Sequence, residues 1–458
     1  MASLGGFLKA ISAAIAAQSA SRLSALFCLD VAEPAMAQLQ NDLVDKNHNI
    51  ADRVAAQKYF AGDWQAFGDL VVSYLALVRD VDAYDIRASY DLYESFFADL
   101  QTAFSNRQGG LLTPLVARSA GLLTDLAIAL DGADGAEMAR TGEQAKVLLK
   151  IFNSIRADRT PIAGQLTFET KGPVPKRTVL LYIAGLLCRT YFRLNQPPTC
   201  VNVFSNMHTA GVFFSKYPMS QRVTYRYYLG RFYLFKNELV SARKHLLWAF
   251  EHCHRDAVRN QRLILTFLVP TSVLLGVFPK PELLSIFAPA LEPVYAPMIR
   301  RIRAGDLAGF KDHITQPGVF DFLVARGLYT LLRTRAEVLV FRNLFFKIDK
   351  MRNLARGGDK KPHDLRFDDL LAGLRLTSTH RPPRPDAAAL VVAERMVDWT
   401  NEDVENVCVT LIDQKFMKGN IYARSHVLRL SPKDPFSSVS DIYFAADHTV
   451  ATEEWMDR

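Results

Sequence analysis

The chain has 458 residues, 49% of them hydrophobic and 22% charged, with a formal net charge of +8. This balance suits a soluble globular protein with ample core in two or three domains. Five scattered cysteines (Cys28, Cys188, Cys200, Cys253 and Cys408) without a C-x-x-C spacing argue against a disulfide framework or zinc ribbon, and fit a reducing intracellular compartment. The excess of positive charge favours a polyanionic partner and says nothing about fold.

The first 29 residues contain no acidic side chain and include Lys9 and Arg22 among many Ser and Ala. They bear a faint likeness to a mitochondrial presequence, and an amphipathic first helix explains "FLKAISAAIAA" as well. Helical periodicity then runs through most of the chain. In "QAFGDLVVSYLALV" (65–78), Phe67, Leu70, Val71, Tyr74, Leu75 and Val78 recur at spacings of three and four, one apolar stripe of a helix. "DLYESFFADLQTAF", "LVARSAGLLTDLAIAL" and "TVLLYIAGLLCRTYFRL" repeat the pattern.

A junction motif also repeats. "AGDWQAF" (61–67) and "AGDLAGF" (304–310) share A-G-D-x-x-x-F, in which Gly ends one helix and Asp caps the next. "RLNQPPTCVNVF" and "LFKNELVSA" look like variants of it. Helical hairpins of this kind cannot bury their apolar faces singly and stack into a solenoid. "YYLGRFYLFKNELVSARKHLLWAFEHCH" follows much of the tetratricopeptide template, with Leu229, Gly230, Tyr233, Ala242, Leu246 and Ala249 at matching offsets and Arg226 where the template has Trp. Tyr233 and Trp248 are expected to fill the groove between its helices.

Within that hairpin His252, Cys253 and His254 are adjacent metal-ligand types. On a helix each is turned about 100° from the last, so they cannot face one ion together. The run is expected to be a helix terminus, where such side chains suit the negative end of the dipole. The apolar run "LILTFLVPTSVLLGVF" (263–278) is too short to cross a membrane, and with Pro270 at its middle it reads as a buried helix pair.

From about residue 335 the character changes. "RAEVLVFRNLFFKIDKMRNLARGGDKKPHDLRF" is rich in Arg and Lys, and its "ARGGDKKPH" portion reads as a loop. "FDDLLAGLRL" (367–376) is a short helix, followed by the Pro-rich basic insert "TSTHRPPRPDAAA". Thr400 and Asp403 make a T-x-x-D capping box opening a helix with Val404, Val407, Cys408, Leu411, Ile412 and Phe416 on its apolar stripe. "GNIYARSHVLRLS" (419–431) reads as two short strands around Arg424–His426, so that the region forms a winged-helix unit.

Two candidate surfaces follow. Lys347, Lys350, Arg352 and Arg356 before the winged helix, with Lys415, Lys418, Arg424, Arg429 and Lys433 around the wing, are candidates for phosphate contacts, each salt-sensitive and indifferent to sequence. A solvated basic face is the plain alternative. The outer face of the 402–416 helix carries Glu405, Asn406, Asp413 and Gln414. Carboxylates do not suit the major groove apart from an occasional contact to cytosine, so this helix is not expected to read bases. That face, with Tyr422 and His426 on the wing, suits another protein, because wing strands can extend a neighbour's sheet.

No G-x-x-x-x-G-K-[ST] phosphate loop, H-E-x-x-H zinc helix or G-x-S-x-G elbow is present. "DVDAYD" (80–85) hints at a calcium loop, but Asp85 stands where Gly is needed. Neither an enzyme nor a cofactor nor a bound metal is expected.

Helical hairpins running into a terminal winged helix resemble the architecture of PCI-domain proteins. The segments "SQRVTYRYYLGRFYLF", "AFEHCHRDAVRNQRLILTFLVPTSVLLG", "FRNLFF" and "MKGNIYARSHVLRLSPKDPF" resemble one branch, that of the transcription-and-export complex PCI subunit and its signalosome-associated relative. The similarity covers roughly residues 55–440, and the 377–399 insert looks longer than usual. It implies an all-α, TPR-like helical-repeat solenoid followed by a small C-terminal α+β winged-helix domain, together a PCI domain. The expected divisions are an N-terminal extension (1–50), the repeats (51–335), the winged-helix region (336–440) and a tail (441–458). The resemblance further implies a non-catalytic scaffold of a nuclear mRNA-export assembly at the nuclear pore. Its partners would be a larger PCI-type scaffold, a small acidic proteasome-lid-type subunit, and RNA or single-stranded nucleic acid, with no membrane. Two alternatives stay open: a signalosome-associated or splicing-linked subunit, and a pure protein-interaction module without nucleic-acid contact.

Overall fold

The structure is a computed structural model describing residues 3–45, 49–82, 84–135, 138–158, 174–211, 213–355, 364–378, 399–445 and 455–456. Among them are twenty-one α-helices and three short strands, in two compact units. One unit runs to Phe232 and includes Val450–Arg458; the other is Tyr233–Thr449.

The first unit contains α1 (Leu4–Ala16), α2 (Ala20–Leu26), α3 (Pro34–Asp45), α4 (Ile50–Ala55), α5 (Gln65–Asp80), α6 (Ile86–Ser105), α7 (Thr113–Asp134), α8 (Ala139–Ala157), α9 (Leu180–Arg193), α10 (Cys200–Thr209) and most of α11 (Met219–Phe235). Helix α1 is amphipathic: Leu4, Phe7, Leu8 and Ile11 are buried, and the Leu4 N–H donates to the Asp42 carboxylate at 2.7 Å. From α5 to α9 each helix packs on the next, and α6 also meets α8 and α7 meets α9. That nearest and next-nearest pattern is how stacked helical pairs bury faces they cannot bury alone. All six stripe residues of α5 are buried. The stretch Arg107–Asp134 is long and apolar enough to cross a membrane by length and composition, but Leu115, Val116, Leu123 and Ala127 of α7 are buried in this unit's core.

The two copies of the junction motif behave differently. At 304–310 the outcome is the expected one: Gly305, at φ +69°, ends a helix, and the Asp306 side chain accepts from the Gly309 N–H at 2.9 Å to cap the next. At 61–67 Gly62 is the last residue of a 3-10 turn, and Trp64 stands at the N-cap of α5 with no side-chain capping bond. Trp64 is instead buried against Phe60 and Phe67, so ring packing replaces the capping bond. The two variant junctions use Asn195 and Asn237, both at positive φ, in the left-handed position where Gly is the commoner choice.

The second unit contains α12 (Leu239–Glu251), α13 (Val258–Leu274), α14 (Pro281–Phe287), α15 (Glu292–Ala304), α16 (Leu307–Thr315), α17 (Pro317–Val324), α18 (Tyr329–Ala355), β1 (Asp364–Arg366), α19 (Phe367–Ser378), α20 (Asn401–Asp413), β2 (Gly419–Tyr422), β3 (Val427–Leu430) and α21 (Val439–Ala445). The strands form one antiparallel sheet in the order β1-β3-β2. The third strand, β1, was not read from the sequence. It lies just after the stretch taken as a loop, and three residues are too few to reveal alternation.

Pro270 does not divide its segment into two helices as expected; α13 runs through it unbroken. A proline inside a helix removes the N–H that would bond the carbonyl four residues earlier. That carbonyl belongs to Thr266, and the buried Tyr295 hydroxyl of α15 donates to it at 2.6 Å. The phenol supplies the donor that the imide lacks, and burial raises its pKa, so it stays protonated for the task. Tyr295→Phe keeps the ring and removes this donor. Urea unfolding is expected to report a loss of about 1–2 kcal/mol, and an unchanged midpoint would show that Thr266 is satisfied in another way.

Candidate nucleic-acid interface

Helix α18 organises the region, packing against α13, α15, α16, α17, α19 and α20. Its "FRNLFF" stretch and the Lys347 that follows it carry three polar side chains directed at main-chain carbonyls. Asn343 donates to Ile302 O at 2.9 Å and Lys347 Nζ to Ala304 O at 2.8 Å, two of the last-turn carbonyls that α15 cannot bond internally. The Arg342 guanidinium donates to Phe436 O at 3.2 Å and Ser437 O at 2.9 Å, beyond the sheet. Burial lowers its pKa, and it lies 5.8 Å from the Phe346 ring, whose neighbour is Phe436. The helix thus ties both the end of α15 and the segment after the hairpin.

Helix α20 opens as the sequence indicated. The Thr400 hydroxyl accepts from Asp403 N while the Asp403 carboxylate accepts from Thr400 N at 2.8 Å, a complete capping box. Val404, Val407, Cys408 and Leu411 are buried, and burial pushes the Cys408 thiol up to about 12. The helix ends in a Schellman pair: Phe416 N donates to Leu411 O and Lys415 N to Ile412 O, with Lys415 at φ +62°. In the hairpin Leu428 and Leu430 point inward and Arg429 outward, the alternation a pleated strand requires.

The nine basic candidates separate by environment. Arg429 makes a two-pronged pair with Asp364, its register partner on β1, at 2.8 and 3.0 Å. Arg352 pairs with Asp369 at 2.6 Å, and Lys418 with Asp434 at 3.3 Å. Lys347 caps α15 as described. Lys350, Lys415, Arg424 and Lys433 are exposed and have no ion pair among the described residues. Arg356 lies outside the described residues. A phosphate can displace an exposed carboxylate cheaply, since such pairs contribute little in water, but only the second quartet has nothing to displace. The counter-charges Asp364, Asp369 and Asp434 were not weighed in the sequence, where nothing marks them as partners.

The protein-facing candidates are also distributed. Asn406 and Asp413 of α20 are exposed, and Glu405 and Gln414 are half-buried. Val409, half-exposed and four residues from both Glu405 and Asp413, puts an apolar centre on this face. It sits off the helix's buried stripe, a phase signal present in the sequence and not used. Tyr422 is 44% exposed beneath the Arg429 guanidinium, 5.3 Å from its ring centre. His426 takes a left-handed conformation at the hairpin tip, and its carbonyl accepts from Phe367 N at 2.8 Å. Its backbone is therefore structural and its exposed ring lies edge-on to Phe367. Most of the 377–399 insert lies outside the described residues; at its ends Trp399 Nε1 donates to Ser378 Oγ at 2.8 Å.

The histidine run is the end of α12. His252 is the C-cap, its ring stacked on Trp248 at 4.0 Å with Nδ1 against Trp248 O at 2.9 Å, and His254 Nδ1 accepts from Asp256 N. Trp248 and Tyr233, expected to fill the hairpin groove, are both only half-buried, and the ring of buried His245 stacks on Tyr233. No group of three or more His, Cys, Asp or Glu side chains among the described residues is arranged to hold a metal ion.

No family model matches the chain. It is 28% identical to a PCI domain-containing protein of Schizosaccharomyces pombe, over 99% of each chain. It is 26% identical to the nuclear mRNA export protein THP1 of Saccharomyces cerevisiae over 78% of this chain and 79% of that one. It is also 29% identical to a CSN12 homolog of Mycosarcoma maydis, over 67% of this chain and 62% of the relative.

The ties from α18 differ in what their loss exposes. Arg342→Leu leaves two carbonyls without their charged donor and is expected to destabilise the second unit by about 2–4 kcal/mol. Lys347→Ala exposes one carbonyl to water and is expected to cost under about 0.5 kcal/mol. Denaturant titration reads both, and hydrogen exchange at 435–440 should accelerate in the first variant only.

Proposed function

Because this chain is a member of the PCI-domain family, with relatives in both the THP1 and CSN12 branches, we propose that it is a non-catalytic scaffold subunit of a nuclear mRNA-export complex coupling transcription to export at the nuclear pore. The observation that carries this reading is the alignment, across 78% of the chain, to a yeast protein named for nuclear mRNA export. In this reading residues 51–335 form a TPR-like solenoid and 336–440 a winged helix, flanked by the 1–50 extension and the 441–458 tail. The order helix α18, strand β1, helices α19 and α20, then strands β2 and β3, supports the winged-helix assignment.

The partners are a larger PCI-type scaffold, met side by side through the winged helix, and a small acidic proteasome-lid-type subunit, for which a basic chain is electrostatically apt. Glu405, Asn406, Asp413, Gln414, Tyr422 and His426 contribute to the protein contact, with Val409 at its apolar centre. RNA or single-stranded nucleic acid binds through phosphate contacts. Lys350, Lys415, Arg424 and Lys433 carry most of that attraction; Lys347, Arg352, Lys418 and Arg429 supplement it once their carboxylates or caps give way, and Arg356 belongs to the same set by its charge.

Lys415 lends weight to this. It holds a left-handed position where glycine lacks the steric penalty, so its side chain costs the fold about 1 kcal/mol. Lys415→Gly is expected to stabilise the chain and weaken RNA binding at once. Reversal of all four unpaired cations to Glu is expected to lower the slope of log K against log salt by about 3. An unchanged slope in the purified chain and in its complex would assign the surface to protein contact alone.

A second reading follows from the CSN12 relative: a signalosome-associated or splicing-linked subunit with another PCI partner. Affinity capture of the endogenous protein, with mass spectrometry, separates the two. Export factors are the expected co-purifying proteins; signalosome subunits without them reverse the assignment.

A further inference from the structure

Ser431 follows the last residue of β3 and precedes Pro432, Lys433 and Asp434. The proline ends the strand, because it has no N–H for a ladder. The serine hydroxyl closes the turn by donating to the Lys433 carbonyl at 3.1 Å. The chain holds three Ser-Pro or Thr-Pro pairs. Thr113, before Pro114, is fully buried, and Thr160, before Pro161, lies outside the described residues. Ser431 is half-buried at the start of a stretch, 431–438, that is neither helix nor strand, and Pro432, Lys433 and Asp434 are exposed.

The surroundings of Ser431 are cationic. Its N–H donates to Lys418 O and the Lys418 N–H to Pro435 O, both at 2.8 Å, so the 431–435 loop lies against the turn that joins α20 to β2. That turn carries Lys415 and Lys418, and Lys433 stands two residues beyond the serine. Asp434 pairs with Lys418 at 3.3 Å, with both side chains about half-exposed, a contact that water keeps weak. A kinase acting on serine needs its target hydroxyl on a short accessible segment, and the following proline holds the serine in extended backbone.

We infer that Ser431 is a phosphorylation site for a proline-directed protein kinase, and that its phosphate switches off the attraction of the wing for nucleic acid. The inference rests on the nucleic-acid reading above and supplies its control. Ser431 Oγ attacks the γ-phosphorus of ATP. The new Oγ–P bond replaces the bond from that phosphorus to the bridging oxygen, ADP departs, and the hydroxyl proton passes to the kinase's base. The product carries a charge of about −1.5 to −2 and three strong acceptor oxygens. It engages the ammonium groups of Lys415, Lys418 and Lys433, which RNA phosphates would otherwise meet. The two occupancies oppose each other: RNA on the surface shields Ser431, and phosphate on Ser431 repels RNA.

The test uses the full-length chain, a purified proline-directed kinase with ATP, and a fluorescent single-stranded RNA titrated at several salt concentrations. Mass spectrometry is expected to place phosphate on Ser431, and Ser431→Ala to lose it. The slope of log K against log salt should fall by about 1.4, the share of two single-strand phosphate contacts, which weakens binding about tenfold near 0.15 M salt. Ser431→Glu should move both quantities in the same direction, while Ser431→Asn, similar in size and uncharged, should bind as wild type does. Saturating RNA should slow the kinase at Ser431. Absence of phosphate at Ser431 overturns the proposal, as does a phosphorylated chain with unchanged affinity and slope. An equal loss in Ser431→Asn assigns the effect to shape and overturns it too. Circular dichroism and the melting midpoint should be the same with and without phosphate; a phosphate that unfolds the chain sinks the switch. Failure of the nucleic-acid reading itself is seen separately, before any kinase is added: the unmodified chain then binds no RNA, and the switch falls with it.

Discussion

A helix that ends inside a protein leaves carbonyls needing donors, and in the second unit α18 supplies them. Asn343 and Lys347 serve the end of α15, while Arg342, half-buried and still charged, serves the segment beyond the sheet. The arrangement demands close approach at one point: Gly305, between α15 and α16, lies so near the α18 backbone that a Cβ there would sit 2.7 Å from Leu344 N and Cα. A glycine and three polar side chains thus fix where α18 lies, and with it the start of everything that follows in the chain. The "FRNLFF" stretch with Lys347 is best understood as this fastening, since Arg342 and Lys347 are occupied with carbonyls.

The same distinction governs the candidate interface. A cation already facing a carboxylate contributes less field to solvent than one without a partner, whatever the count of Lys and Arg in the segment. Asp364 opposite Arg429, Asp369 beside Arg352 and Asp434 beside Lys418 reduce the long-range attraction of the surface. Hydrogen bonds from Ser437 and Lys418 hold the Asp434 carboxyl below its ordinary range, keeping it an anion through mild acid. What remains is sparse and is spread over α18, the end of α20 and the loops of the wing, which suits a backbone-tracking contact better than a base-reading one.

Local signals were legible and relayed ones were not. The capping box at Thr400, the stripe from Val404 to Leu411 and the hairpin around Arg424–His426 each depend on residues within a few positions of one another, and they stand as read. The continuity of α13 through Pro270 depends on Tyr295, whose role is set by packing that no local pattern announces. The short β1 strand exists because β3 offers it an edge. Asp63 looked like a cap and is not one, because Trp64 gained more from Phe60 and Phe67. The candidate cations were found by type, but their division into paired and unpaired required three carboxylates brought from elsewhere in the chain.

The return of Trp455 and Met456 to the first unit has a consequence in time. A ribosome releases the chain from its amino end, and most domains finish folding in that order. Here the face around Phe214 lacks the Trp455 ring, and Arg226 one of its acceptors, until residues 455 and 456 have been made. An early-made part of the molecule thereby waits for a much later one, and a chain cut short before Trp455 carries its defect more than two hundred residues upstream of the break.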